Sequence, residues 1–185
     1  QGTGDRSVNK DLGFTRAHHV MLSYGFKISD NANMKIEPYF QQLYNVPVIA
    51  DSSYSVLNRR DFYVENVLVN QGKGRNIGVD ITLERYLYKG LYYMVTASIF
   101  DSKYYGGDRK WRNTLYNRNF IVNVLGGKEW MVGRDKQNMF SVNFKITLQG
   151  GDRYAPVDEV ATLLDPDREV QYDETKAFSK QFSPM

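Results

Sequence analysis

The chain of 185 residues contains no cysteine. This absence excludes disulfide bonds and metal sites built on thiolates. The net charge is only +3, so the composition gives no strong argument for nucleic acid or another acidic partner. No apolar run is long enough for a transmembrane helix. The first residue is Gln1, without an initiator methionine or a leader, and we expect the chain to be a piece or a mature form of a longer protein.

What the chain does have is a regular alternation of apolar and polar residues. Within 76–87 one side of a strand would carry Ile77, Val79, Ile81, Leu83 and Leu87. Within 139–149 the equivalent side would carry Phe140, Val142, Phe144, Ile146 and Leu148. A side-chain period of two indicates strands with one apolar face. A mean hydropathy of -0.53 is compatible with membrane strands, because they need an apolar residue only at every second position.

The pattern predicts an all-β fold, an antiparallel up-and-down meander of about six strands in one domain over 1–185. The strands are expected at 20–28, 34–44, 76–87, 91–104, 119–130 and 139–149. Long loops are expected at 45–75, 105–118 and 150–185, all at one end, with short turns at the other. Pro38 predicts an irregularity in the second strand. Short strands could form around Val48 and Val67, and a helical turn over 158–164.

Long loops at one end and short turns at the other are typical of transmembrane β-barrels of the bacterial outer membrane. Arg85 and Lys128 are the main charges on the apolar face, near the short-turn end, where they could reach the interface. Tyr93, Trp130 and Phe140 fall at the same level, as an aromatic girdle would. The meander is therefore predicted to be part of a large transmembrane barrel. The alternative is a soluble β-barrel or sandwich that binds a small ligand or a glycan, with the apolar face as its core.

Five stretches resemble the C-terminal barrel of TonB-dependent outer-membrane receptors, in the branch with a carboxypeptidase-regulatory-like domain. The main one is LVNQGKGRNIGVDITLERYLYKGLYYMVTASIFDSKY at 68–104. The others are IEPYFQQLYNVPV at 36–48, WRNTLYNRNFIVNVLGGKEW at 111–130, QGGDRYAPVDE at 149–159 and YDETKAFSKQ at 172–181. Ile77 stands where the family usually has an aromatic residue. The resemblance is specific only as a composite.

The resemblance implies a 22-stranded barrel closed by a plug, which imports a scarce nutrient such as a siderophore, cobalamin or a glycan with energy passed on by TonB. The expected location is the outer membrane of a Gram-negative cell, with the long loops extracellular. The implied partners are outer-membrane lipid, the plug and remaining strands of the full-length protein, and TonB through an N-terminal region absent here. We expect no enzymatic activity, no cofactor and no nucleic-acid partner, and a fragment that does not transport on its own.

Aromatic and basic residues are mixed in the predicted loop 105–118. Exposed amphipathic aromatics make good binding surfaces, so this loop supplies the candidate ligand contacts Tyr105, Trp111, Arg112 and Tyr116. The competing interpretation is an extracellular aromatic girdle with solvated charges.

Three other motifs carry little chemistry. The adjacent His18 and His19 would point to opposite faces of a strand and could not easily share a metal. The segment Gly72-Lys73-Gly74-Arg75 lacks P-loop spacing and precedes a strand, so it is interpreted as loop closure. Asp80 and Glu84 would be about 13 Å apart along a strand, too far for a glycosidase pair.

Overall fold

The computed structural model describes residues 8–59, 66–167 and 169–185. Ten strands are assigned: β1 Arg16–Met21, β2 Tyr24–Ser29, β3 Ala32–Val48, β4 Val69–Tyr88, β5 Leu91–Tyr105, β6 Trp111–Asn113, β7 Phe120–Val132, β8 Asn138–Gln149, β9 Arg153–Tyr154 and β10 Lys180–Gln181. One short helix, α1, spans Glu159–Leu164, and single 3₁₀ turns span Val56–Asn58 and Glu174–Lys176. None of the helices in the described residues is long and apolar enough to cross a membrane.

Eight of the strands form one antiparallel sheet in the order β1-β3-β4-β5-β7-β8. β2 continues the position of β1 beside β3, and β6 pairs with the end of β5 beyond β7. The predicted all-β antiparallel meander is confirmed, and the sheet has six positions. It is open: the described residues contain no pairing between β1 or β2 at one edge and β8 at the other.

Pro38 explains why the first predicted strand, 20–28, is observed as two. The register of β3 with β1 and with β2 places Leu22 opposite Pro38, and the Leu22 N–H donates to the Pro38 carbonyl at 3.1 Å. Proline has no N–H to return this bond, so the ladder lapses between Met21 and Tyr24. The predicted irregularity therefore appears in the neighbouring strand, since β3 pairs with β4 without interruption from Ala32 to Leu43.

The loop 45–75 is shorter than predicted, because β3 runs on to Val48 and β4 begins at Val69. The sequence around Val48 and Val67 suggested separate small strands, but Val48 ends β3 and pairs with Val69. The predicted loop 105–118 contains β6, and the tail 150–185 contains β9, β10 and α1. The possible helical turn over 158–164 is observed as α1, with the Asp158 side chain accepting from the Ala161 N–H.

Short turns join the strands at the end opposite the long loops. Between β4 and β5 only Lys89 and Gly90 intervene, and both have positive φ, 52° and 71°. Two consecutive residues with positive φ form the type I′ turn whose twist suits a hairpin.

The register assigns each side chain to one of two faces. Directly opposed residues of antiparallel strands share a face, and Pro38, Val79 and Ile99 are aligned across β3, β4 and β5. We call their side the apolar face. The polar face carries a side-chain hydrogen-bond chain across β1, β3, β4 and β5, in which His19 contacts Gln41 at 2.7 Å. The Asn76 amide donates to Gln41 at 2.5 Å and accepts from the Ser102 hydroxyl at 2.6 Å.

Buried residues concentrate at the long-loop end. Val46, Val48, Ser55, Tyr104 and Asn117 are almost completely buried. They lie where the loop after β3, the β5–β6 hairpin and the tail meet. In contrast, much of the rest of the sheet is exposed or half-buried on both faces.

Candidate functional site at the long-loop end

The four candidate ligand contacts do not form one site. Tyr105 and Trp111 are directly paired in the β5–β6 hairpin, and their ring centroids lie 5.5 Å apart. Arg112 pairs with Tyr104, so its side chain is on the opposite face. Tyr116 is half exposed and donates its hydroxyl hydrogen to the Arg59 carbonyl at 3.0 Å. The structure therefore brings together two of the four.

Arg112 is a buried structural cation, with an exposed fraction of 8%. Its Nη1 and Nη2 donate to the two carboxylate oxygens of Asp108 at 2.8 and 2.5 Å. Charge-assisted bidentate pairs of this kind are stronger than hydrogen bonds between neutral side chains. The bond from Arg112 lowers the pKa of Asp108 below its usual range, and the same contact raises the pKa of Arg112. With its guanidinium committed to Asp108, Arg112 is poorly placed to bind an external ligand.

The tail is anchored on this ion pair. Arg112 also donates through Nε and Nη2 to the Thr175 carbonyl at 3.4 and 3.3 Å. One residue along β6, the Asn113 amide donates to the Phe178 carbonyl at 3.4 Å. The Phe178 ring packs edge-on to Tyr104 with centroids 6.1 Å apart. Residues 174–178 are thus held against the β5–β6 hairpin by side chains from both of its faces.

A pocket of about 200 Å³ lies between the tail and the loop that follows β3. Its lining is mixed, with aromatic, hydroxyl and carboxylate groups: Tyr54, Ser55, Asn58, Tyr172, Glu174 and Phe178. In the described part of the chain, the Nδ2 of Asn58 is buried without a hydrogen-bond partner. Side chains of this kind can hold a small polar ligand.

Glycines allow the loops to approach the sheet. Gly72 and Gly74 belong to β4, so the segment interpreted as loop closure is part of a strand. A Cβ on Gly72 would lie 2.7 Å from the Val46 carbonyl oxygen, and one on Gly74 would lie 2.8 Å from Leu57 Cδ1. The glycines of this motif serve close packing between backbone and side chains.

The remaining motifs are separated as expected from strand geometry. His18 packs edge-on to Tyr44 with centroids 5.4 Å apart, whereas His19 contacts Gln41 on the polar face. Asp80 accepts from the Ser98 hydroxyl at 2.5 Å, and Thr82 lies between it and Glu84 along the same face. Within residues 8–59, 66–167 and 169–185, no three His, Asp or Glu side chains are grouped so that they could hold a metal ion.

Sequence reasoning missed the residues that organise this end. Asp108 follows two glycines within the predicted loop 105–118 and was not among the candidates, while Thr175 and Phe178 are more than 60 residues away from Arg112. Lys73 and Arg75 were assigned to loop closure, but their charges lie over the rings of Tyr105 and Trp111 at 5.7 and 5.5 Å. The period of two seen at 77, 79, 81 and 83 extends back to positions 75 and 73. This spacing could have shown that Lys73 and Arg75 belong to the same face of the same strand.

Comparison of the chain with protein-family models, with curated proteins and with solved structures gives no significant match in any of the three. The functional assignment consequently depends on the physical properties of the sheet and of its loop end.

Proposed function

We propose that this chain is part of the barrel of a TonB-dependent receptor in the outer membrane of a Gram-negative cell. Its apolar face contacts lipid, its long loops are extracellular, and the complete receptor binds and imports a scarce nutrient. The chain alone supplies six adjacent strand positions. The plug and the other barrel strands of the full-length protein complete the transport path, and TonB acts on the N-terminal region. We propose no enzymatic role.

The observation that carries this proposal is the spacing of two arginines on β4. Arg75 and Arg85 both belong to the apolar face, and Ile77, Val79, Ile81 and Leu83 are the residues of that face between them. Ten residues at about 3.3 Å each separate the two cations by about 33 Å along the strand. At the tilt of about 40° common in membrane barrels, this is about 25 Å along the membrane normal, the usual height of the apolar band.

The exposure of the apolar face supports the same proposal. Val142, Phe144 and Ile146 on β8 are 49%, 52% and 59% exposed, and no second layer of the described residues covers them. An exposed apolar surface that extends across six strand positions is unfavourable in water. In a bilayer the same surface is in its preferred medium. A soluble sandwich would need a layer over this face, which the described chain does not provide.

Both borders of the apolar face carry paired aromatic and basic side chains. At the short-turn end, the Lys128 ammonium lies 5.9 Å from the centre of the Trp130 ring, and that ring is 5.8 Å from Phe140. At the long-loop end, Arg75 lies over Trp111. Amphipathic aromatics and long cations favour the two membrane–water interfaces.

The membrane assignment is tested with the full-length product of the gene that encodes this sequence. The variants Val79→Arg and Val122→Arg place a cation in the middle of the apolar face, and each should cost about 2–4 kcal/mol of folding free energy in lipid vesicles. The measurement is the folded fraction in a denaturant titration with vesicles, followed by the heat-modifiable migration of the barrel.

The matched control is Thr82→Arg on β4, which carries the same charge on the polar face and replaces a side chain that forms no hydrogen bond among the described residues. It should cost distinctly less, because that face meets water or protein. Equal costs on the two faces, or recovery of the full-length product in the soluble periplasm, would contradict the proposal and favour the soluble ligand- or glycan-binding alternative.

The receptor assignment needs a separate test, because other barrels also occupy the outer membrane. The full-length product, extracted in detergent, should retain the purified periplasmic domain of TonB on an affinity column. Its uptake activity should disappear in cells without TonB. A membrane-inserted product that shows neither behaviour would be a barrel of another class.

A further inference from the structure

We propose that a row of cations at the long-loop border of the apolar face binds the phosphate groups of membrane lipids. This inference rests on the proposed membrane function and adds a specific ligand class, a phosphorylated lipid with its headgroup on the row and an acyl chain below it. The register defines the first level of this row, because five residues on adjacent strands are directly opposed. They are His18, Gln42, Arg75, Lys103 and Asn113.

A second level lies two residues further from the apolar band. It contains Arg16 opposite Tyr44 on one side, and Lys73 opposite Tyr105, which is opposite Trp111, on the other. We call the two levels together the cation row. It holds four permanent cations, Arg16, Lys73, Arg75 and Lys103, while the level directly below supplies one carboxylate, Asp101.

Most of this positive charge is not neutralised within the described chain. Asp101 pairs with Lys103 at 3.3 Å, and Asp101 also accepts a hydrogen bond from Asn117 at 2.9 Å. Lys73 and Arg75 contact aromatic rings. A ring orients a cation but leaves its charge in place. Among the described residues the Arg75 side chain forms no hydrogen bond or ion pair and contacts the ring of Trp111, so the terminal nitrogens of its guanidinium remain available as donors to a ligand.

Phosphate is the anion that suits these donors. A guanidinium presents a planar fork that matches two phosphate oxygens, and an ammonium adds a point charge. Arg75 and Lys103 are directly opposed on β4 and β5, so both can reach one phosphomonoester group. The tilted rings of Tyr105 and Trp111 lie at the same level, where amphipathic aromatics prefer the membrane interface.

The surface below the row identifies the ligand as a lipid and not as a free anion. A shallow groove of about 460 Å³ begins one level below the cation row. Most of its lining is apolar and includes Val20, Leu22, Phe40, Ile77, Val79 and Ile99. A soluble phosphate compound has no acyl chain that could occupy this apolar groove. A lipid whose phosphate contacts Arg75 and Lys103 would place an acyl chain directly along it.

The experiment measures lipid retained by the full-length product after extraction in dodecyl maltoside. The probe is diphosphorylated lipid A, titrated into the detergent solution and counted by native mass spectrometry, with phosphatidylcholine as the weakly charged comparison. The double variant Arg75→Gln, Lys103→Gln should reduce the apparent affinity for lipid A at least about tenfold, because charge-assisted hydrogen bonds are lost. Binding of phosphatidylcholine should change little.

One control variant removes a cation outside the cation row, and the other keeps the positive charges at positions 75 and 103. Lys145→Gln removes one from the polar face and should leave lipid A binding unchanged, while Arg75→Lys with Lys103→Arg should retain most of the binding. If the double variant does not fold, Lys73→Gln serves instead, since this side chain is exposed and forms no ion pair among the described residues.

The outcomes separate this inference from the proposed function. A product that is absent from the membrane fraction overturns both. A membrane-inserted product whose double variant binds lipid A as the parent protein does overturns only the lipid site. Displacement of lipid A by millimolar inorganic phosphate alone would show a site for soluble phosphate and would also overturn the lipid assignment.

Discussion

Arg112 and Asp108 form a bidentate ion pair across the tip of the β5–β6 hairpin, and the backbone of the tail at Thr175 completes the coordination of the guanidinium. Two segments that are more than 60 residues apart are therefore joined by one side chain. Removing either charged partner affects both the hairpin and the tail.

The first prediction concerns this pair. Arg112→Ala should release the tail, because Asp108 loses its partner and the Thr175 carbonyl loses a donor. Charged hydrogen bonds of this kind contribute about 1.5–3 kcal/mol, so amide hydrogen exchange at Ala177 should accelerate at least tenfold. The control is Lys176→Ala, which removes the exposed Lys176–Asp173 pair in the same segment and should have little effect. Equal acceleration in both variants would contradict the anchoring role.

A second prediction gives the pH dependence of the same contact. Because Arg112 lowers the folded-state pKa of Asp108, the stabilisation is fully present above the unfolded pKa of about 3.9. It is lost as the pH falls through the lower, folded pKa. Protection of the tail should therefore decrease below about pH 4. In Asp108→Asn this pH dependence should be reduced, and an unchanged acid profile would show that another carboxylate is responsible.

The third prediction concerns the close packing at Gly72. Gly72→Ala should destabilise the long-loop end by about 1–3 kcal/mol, because the new Cβ meets the backbone carbonyl of Val46 and overpacks the site. Gly25→Ala is the matched strand control, since its nearest neighbour would be 3.9 Å away. Chemical denaturation of the full-length protein in vesicles measures both. A neutral Gly72→Ala would mean that β3 and β4 can separate easily at this point.

The fourth prediction tests the polar hydrogen-bond chain. Asn76 bridges Gln41 and Ser102, so Asn76→Ala leaves both neighbours short of a partner and should cost about 1–3 kcal/mol. Thr82→Ala, on the same strand and face, removes a side chain without such a bridge and should cost less. Similar losses in the two variants would show that strand propensity, and not the bridge, dominates at position 76.

The fifth prediction follows from the missing N–H of Pro38. In Pro38→Val the new N–H should donate to the Leu22 carbonyl and join β1 to β2 as one continuous strand. The amide of Val at position 38 should then exchange slowly, and the Leu22 amide should become more protected. Rapid exchange at position 38 would contradict the register deduced for this edge.

The strands could be predicted because the alternation of apolar and polar residues is visible within the sequence of each strand. β5 and β8 lie within one residue of their predicted bounds, and β7 within two. The length of the second strand was underestimated at both ends. At its C-terminal end, Pro47 and the lack of regular alternation over 45–48 gave no indication that the backbone stays extended. Similarly, 69–75 contains two glycines whose role is tertiary, because they admit Val46, Val48 and Leu57 against the sheet.

The candidate site was much less predictable. Trp111 and Tyr105 could be selected as exposed aromatics, but the faces on which they and Arg112 lie depend on the register of a hairpin that looked like a loop. The contacts of Arg112 with Thr175 and of Tyr104 with Phe178 join segments that are distant in sequence, and alternation carries no information on such pairs.

The open edge of β8 determines how this sheet can be extended. Two backbone hydrogen bonds of 2.9 and 3.0 Å already join Gln149 to Met185, so the last position of β8 at the loop end is paired, while no described strand pairs with the outer edge of Asn138 to Leu148. Unpaired peptide groups are costly in hydrocarbon. Under the proposed assignment, this segment must therefore enter the bilayer together with the strand that pairs with it. If that pairing is delayed, the exposed edge of β8 can pair with another chain and cause aggregation.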